Sequence, residues 1–302
     1  MDSNPPERSP ISKIFISPDE PRLRAGWRLL IQTILFVVLA FIAGIPIVIL
    51  VYVLHGDLSG APFLTANMFA ELVGVTLSVY IARRFLDKRS FASLGFKLDK
   101  FTLYDIFAGI AIAFIMMGSI FFAMKILGWL TFESFAWDAE PISNVILQTA
   151  MFFFVFILVG WNEELLSRGY HLQTIASGIN LFWGVIISSI IFGLLHLGNP
   201  NAAWVSAAGI FFAGLFLAYG YIRTKQLWLS IGLHIGWNFF EGVVFGFPVS
   251  GLDIYPLTHI SVTGPEIWTG GAFGPEAGLI VLPALALGAV LIYLYTRPRI
   301  SR

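Results

Sequence analysis

Three short blocks hold ionisable or amide side chains inside otherwise apolar stretches. The first reads Gly160-Trp161-Asn162-Glu163-Glu164-Leu165-Leu166-Ser167-Arg168. Adjacent acids on a helix point about 100° apart, so Glu163 and Glu164 cannot serve one face equally. Glu164 and Arg168 are spaced i, i+4 and can pair. That leaves Glu163 as the unpaired carboxylate, the kind of group whose environment can suit it to act as a general base. The second block runs from Phe192 to His196. In the third, His234 and Asn238 stand i, i+4 and share a face, where they can offer two hydrogen-bond donors to a developing oxyanion. The plainer reading makes Glu163, Glu164 and Arg168 headgroup-level charges at a helix end, and each histidine a helix–helix hydrogen bond. Against it, the chain has five histidines, and two of them fall in the apolar stretches that follow Glu163.

The elements that must position these groups follow from composition. The chain is 57% hydrophobic and 12% charged, with a mean hydropathy of +0.82. A soluble domain could not hide that much apolar surface. Apolar stretches of about 20 residues, each able to cross a hydrocarbon core, recur along the chain. In lipid they must be helices, because every backbone polar group has to be satisfied within its own segment. The expected fold is therefore an all-α, polytopic membrane bundle of about eight transmembrane helices, at 28–54, 63–82, 104–128, 143–172, 181–197, 203–222, 227–246 and 277–296. Residues 1–26 read as a polar, Pro-rich tail rather than a leader, and 27–302 as one transmembrane domain with its catalytic core at about 143–245.

Charge sets the expected orientation. Basic residues gather in the N-tail (Arg8, Lys13, Arg22, Arg24, Arg28), the second gap (Arg83, Arg84, Lys88, Arg89, Lys97, Lys100), late in the fourth span (Arg168), the sixth gap (Arg223, Lys225) and the C-tail (Arg297, Arg299, Arg302). Of the 18 basic residues only Lys125 falls on the other side, among Asp57, Glu133, Asp138, Glu140, Asp253, Glu266 and Glu276. The positive-inside rule then puts both termini in the cytoplasm, with an even number of spans. Zero net charge argues against a nucleic-acid partner. The absence of cysteine excludes disulfides, thiolate metal sites and a cysteine nucleophile. The Gly- and Pro-rich stretch at 246–276 is an expected cap on the outer side.

Depth is the open point of the spacing argument. If the fourth gap lies near 173–180, Glu163 is roughly 18 Å from it, His196 roughly 25 Å, and His234 roughly 13 Å from its own gap, at 1.5 Å per residue. Tilt and side-chain length absorb part of that spread. If the fourth span stops at Gly160, Glu163 sits at the surface and His196 is out of reach. Other charges in the spans read as follows: Glu71 as a hydrogen bond to a neighbouring helix, Glu241 as a group on the His234–Asn238 face that could tune His234, and Lys125 as snorkelling to the interface. Gly214 and Ala218 mark close helix packing.

Glu163-Glu164…Arg168, Phe192…His196 and His234…Asn238, in that order, resemble the CAAX-protease and bacteriocin-processing (CPBP, Abi-like) family of intramembrane endopeptidases. The resemblance covers about residues 143–245. Arg89-Ser90-Phe91…Leu94-Gly95 and Gly274-Pro275-Glu276-Ala277-Gly278 also look like bacterial members, less specifically. It implies an endopeptidase of a bacterial inner (plasma) membrane acting on a membrane-embedded or lipidated, CAAX-type peptide substrate. Glu163 would activate a water and His196 help to orient it. His234 and Asn238 would stabilise the oxyanion, and Glu164 and Arg168 would support the helix. The cofactor is none or zinc; a zinc site would use Glu163, His196 and His234. Asn238 beside His234 suits an oxyanion hole better than a zinc shell. Two other classes compete: a non-catalytic immunity or scaffold protein, which would tolerate Glu163→Gln, and a proton- or ion-coupled transporter, in which Glu71 would be as sensitive as Glu163.

Overall fold

The computed structural model describes residues 14–18, 20–53 and 61–300 of the 302-residue chain. Arg8, Lys13, Asp57 and Arg302, placed above by charge, lie outside the described residues. The helices are α1 (Ala25–Val53), α2 (Ala61–Ile81, continued by the π-helical Ala82–Leu86), α3 (Phe101–Ile126), α4 (Ile142–Gly178, π-helical over Leu165–His171), α5 (Leu181–Leu195), α6 (Trp204–Thr224), α7 (Trp228–Asn238, continued by the π-helical Phe239–Val244) and α8 (Val281–Ile300).

Two expectations need correction. Among the described residues seven helices, not eight, are long and apolar enough to cross a membrane: α1 to α6 and α8. The expected span at 227–246 is α7, which with its π-helical extension runs only from Trp228 to Val244. Its apolar residues read as a lipid-facing run, yet Leu229 through Asn238 are all buried by neighbouring helices. It is a core helix, and apolar composition cannot tell a lipid contact from a protein contact. The fold is also not wholly α. β1 (Leu130–Phe135) pairs antiparallel with β2 (Thr258–Val262), with a register shift between Phe132 and Ser134. Both strands fall in connections between apolar stretches, where no 20-residue run exists to demand a helix.

α3 makes the most extensive contact with α7, and the two approach backbone to backbone. A Cβ on Gly109 would stand 2.5 Å from Leu233 N, and one on Gly232 would stand 2.2 Å from Ile106 O. Where lipid is as apolar as leucine, small residues that let backbones close up supply the packing energy. Gly214 acts likewise between α6 and α5, where a Cβ would meet Ser189 Cβ at 2.9 Å, and Ala218 is fully buried.

One end of the bundle collects the basic connections. Arg28 and Arg83 both bond Asp87, with Arg22 Nη1 3.8 Å from it. Arg28 also reaches Ser177 Oγ at the end of α4 (2.8 Å). Lys97 accepts from Trp228 Nε1 (3.0 Å) and donates its backbone N–H to Gln226 Oε1 (2.9 Å). Arg299 of α8 bonds Asp105 at the start of α3 (2.7 Å). The α1 entry, the α2–α3 connection, the α4–α5 and α6–α7 corners and the end of α8 therefore meet. At the opposite end lie the small sheet and the 246–280 connection. Lys125 is exposed in the last turn of α3.

Gly109→Val is expected to lower the melting temperature of the detergent-solubilised protein by the equivalent of about 1–3 kcal/mol or to prevent folding, since two backbones must part. Gly26→Ala, where a Cβ meets nothing within 4 Å, is the neutral control.

Candidate active site

α4 does not stop at Gly160. It runs on to Gly178, so Glu163 lies 15 residues, about 22 Å, from its inner end. α5 leaves the same corner at Leu181 and reaches its last residue, Leu195, over 15 residues, again about 22 Å. His196 follows in a short 3₁₀ turn, His196–Gly198. Two helices rising equally from one corner bring Glu163 and His196 to one depth, which removes the conflict in the spacing argument. His234 arrives on α7, packed against α4.

The two histidines converge on one atom. His196 Nε2 and His234 Nε2 each stand 3.7 Å from Glu163 Oε2. Their other nitrogens are committed. His196 Nδ1 bonds the Phe192 carbonyl (2.8 Å), which can only accept. His234 Nδ1 bonds Glu164 Oε1 (2.8 Å). Each Nδ1 therefore carries hydrogen, and in the neutral rings each Nε2 presents a lone pair toward Glu163. Glu163 Oε2 is itself buried without a hydrogen-bond partner among the described residues. Three acceptors thus face one another around a space that calls for a donor.

Glu164 and Arg168 are not headgroup charges. Their exposures are 0% and 2%, and Arg168 Nη1 bonds Glu164 Oε1 at 2.8 Å. Arg168 also donates to the Gly214 carbonyl (3.2 Å) and stacks over the Phe192 ring at 4.2 Å. Phe192 in turn packs edge-on against His196, ring centres 4.8 Å apart. The two acids therefore divide the work: Glu163 faces His234 Nε2 and Glu164 holds its Nδ1. The pair diverges on α4, as adjacent helix positions must, and meets again on opposite sides of one imidazole. A π-helical turn follows immediately after Glu164 and another after Asn238. Such turns recur at functional sites because the extra residue re-aims side chains.

These groups line a cavity of about 390 Å³ whose wall is otherwise mostly aromatic and aliphatic. Glu163, His196, His234 and Asn238 all border it. The Asn238 side chain makes no hydrogen bond to a described residue, so its amide is available to the cavity. Glu71 borders it too; no hydrogen bond joins it to a neighbouring helix among the described residues, a correction to the structural role expected of it. Glu241 does not border the cavity, because the π turn carries it off the His234–Asn238 register. Its carboxyl oxygens are buried without partners among the described residues.

The acid that sequence reasoning left without a role is Glu276, from the 246–280 connection. It borders the cavity, is 5% exposed, and accepts from Trp237 Nε1 (3.0 Å) and Ser250 Oγ (2.6 Å). Burial pushes its carboxyl above the usual range, against the lowering pull of Ser250, the two histidines and Trp237. The only signal for it was the Gly274-Pro275-Glu276-Ala277-Gly278 block, an acid in a turn-forming stretch that looked solvent-facing.

Among the described residues no three His, Cys, Asp or Glu side chains are gathered closely enough to hold a metal ion. Glu163, His196 and His234 as placed do not form a zinc shell.

Residues 145–240 match the family profile described as type II CAAX prenyl endopeptidase Rce1-like. The chain carries an Rce1-like domain. Glu163, Glu164, Arg168, His196, His234 and Asn238 all fall inside it. The Rce1-like segment is also similar to YdiL of Bacillus subtilis (strain 168), by its name a candidate membrane peptidase, at 31% identity over 104 residues. That match covers 34% of this chain and 41% of the relative.

Glu164→Gln should lower stability by about 3–5 kcal/mol, because it strands a buried Arg168. Glu163→Gln should leave the melting temperature nearly unchanged, because its Oε2 has no partner to lose. Paired thermal melts in detergent check the contrast.

Proposed function

We propose that this protein is an intramembrane endopeptidase that cleaves a peptide bond of a membrane-embedded or lipidated substrate with a water activated by Glu163. The observation that carries the reading is the convergence of both Nε2 atoms on Glu163 Oε2 within a buried, mostly apolar cavity. A water about 2.8 Å from that oxygen and from one Nε2 subtends roughly 80° across the 3.7 Å gap, which two donated hydrogen bonds tolerate. Glu163 takes a proton as that water attacks the carbonyl carbon. The carbonyl oxygen becomes an oxyanion, which the free Asn238 amide can stabilise, joined by His234 Nε2 in the form whose imidazole has taken up a second proton from solvent before the water attacks. As the oxyanion collapses back to a carbonyl the C–N bond breaks, and the proton held at Glu163 passes to the leaving amine. Glu164 holds His234 at Nδ1 and stabilises the imidazolium. His196, fixed by the Phe192 carbonyl, orients the water.

The apolar wall suits an aliphatic or aromatic peptide segment or a lipid chain, which supports a membrane-embedded or CAAX-type substrate. Supporting the predicted orientation, the basic connections and both described ends of the chain share one end of the bundle; we place that end in the cytoplasm of a bacterial inner membrane, with α7, too short and too buried to count among the seven lipid-length helices, crossing inside the bundle to make the number even. The proposed catalytic core is about 143–245 within one transmembrane domain.

Purified protein in detergent should cleave an internally quenched hydrophobic or CAAX-type peptide. Glu163→Gln should lower kcat by about 10²–10⁴-fold, and Asn238→Ala by about 10²–10³-fold. Equal cleavage by parent and Glu163→Gln would remove Glu163 from the reaction. Loss of activity on chelation, restored by zinc, would replace the water-only version.

A further inference from the structure

The three candidate catalytic elements are not held to one another by their own helices alone. Asn238 and His234 stand on α7, while His196 stands on a three-residue turn, His196–Gly198, after α5. That turn closes with Asn199 N–H on the His196 carbonyl (3.1 Å). The Asn199 side chain then donates to the Ser250 carbonyl (3.0 Å), and Asn201 donates to the Gly251 carbonyl (3.4 Å). Ser250 Oγ donates to one oxygen of Glu276, and Trp237 of α7 donates to the other. Gly251 N–H bonds the Phe273 carbonyl (2.8 Å), so the two parts of the 246–280 connection are themselves joined. The Glu276 backbone is wedged on α6: a Cβ on Gly209 would stand 1.8 Å from its carbonyl oxygen.

We infer that Glu276 is a positioning residue of the proposed peptidase, tying the α7 helix that carries His234 and Asn238 to the turn that carries His196 through Trp237, Ser250 and Asn199. The inference rests on the peptidase reading for its catalytic consequence, though the tie itself does not. The outer connection is then part of the active-site frame rather than a cover. Trp237 is the residue next to Asn238 and three from His234, so the indole that Glu276 holds sets how α7 is rotated toward the cavity. A loss of fit of about 1 Å between reacting groups can cost on the order of a hundredfold in rate.

The test uses full-length protein in detergent with the quenched peptide above, beside hydrogen exchange of the backbone. Glu276→Gln keeps one acceptor for Trp237 and offers a donor to Ser250 Oγ, so both ties survive. It should stay within about threefold of the parent in kcat. Glu276→Ala cuts both ties. It should lose about ten- to a hundredfold in kcat, change KM by less than about twofold, and exchange faster both in α7 and at 196–201. Ser250→Ala cuts one tie and keeps the carboxyl, which covers the case in which Glu276→Ala does not fold. It should lose severalfold in kcat and exchange faster at 196–201 alone. A Glu276→Gln variant as damaged as Glu276→Ala would overturn the inference in favour of a charge effect. Unchanged exchange in Glu276→Ala, or in Ser250→Ala where Glu276→Ala does not fold, would overturn it outright. A parent that cleaves no peptide would sink the peptidase reading, and the exchange measurements would still decide whether Glu276 joins the two elements.

Discussion

A carboxylate with no solvent exposure, Glu164, bonds a buried arginine and a buried histidine through one oxygen. The rest of the site depends on that contact. Charges taken out of water cost several kcal/mol each, and the cost is recovered only where geometry and extra hydrogen bonds are both good. Here Arg168 also has the Gly214 carbonyl and the Phe192 ring, so its charge is shared among α4, α5 and α6. The pair fixes three helices to one another and, through His234 Nδ1, fixes α7 as well. It also sets the hydrogen on the far side of that ring, so Nε2 faces Glu163. An interaction expected merely to steady a helix also holds Nδ1 of an imidazole on another one.

The neighbouring carboxylate has the opposite character. Glu163 is partly exposed to the cavity, and its buried oxygen has no hydrogen bond. Adjacent in sequence, the two acids differ because a helix turns about 100° per residue: one direction leads into packed protein and the other into a cavity. That asymmetry suits the base proposed at Glu163 beside a structural carboxylate at Glu164. The surrounding wall is mostly aromatic and aliphatic, and a low-dielectric lining strengthens the electrostatic contacts beside it.

At the basic end, Asp87 is fully buried among Arg22, Arg28 and Arg83. The Arg89…Gly95 stretch leads into the same region. Gly95 has φ +112° and accepts from Leu227 N–H (2.9 Å), which starts α7. The stretch thus anchors the helix that carries His234. At that φ the corner is one that glycine turns without steric cost.

Much of this protein was legible from sequence because membranes are strict. Long apolar runs must be helices, and ionisable residues within them must have a reason. Spacing alone paired Glu164 with Arg168, left Glu163 unpaired, and put His234 and Asn238 on one face. Three things needed the tertiary structure. The depth match of Glu163 and His196 depends on where α4 ends, and a helix that continues through a polar stretch leaves no hydropathy edge to read. The burial of α7 depends on its neighbours, since protein and lipid are equally apolar surroundings for leucine. The place of Glu276 depends on a connection folding back 39 residues later against Trp237, and no local pattern encodes a contact between a helix and a loop that far along the chain.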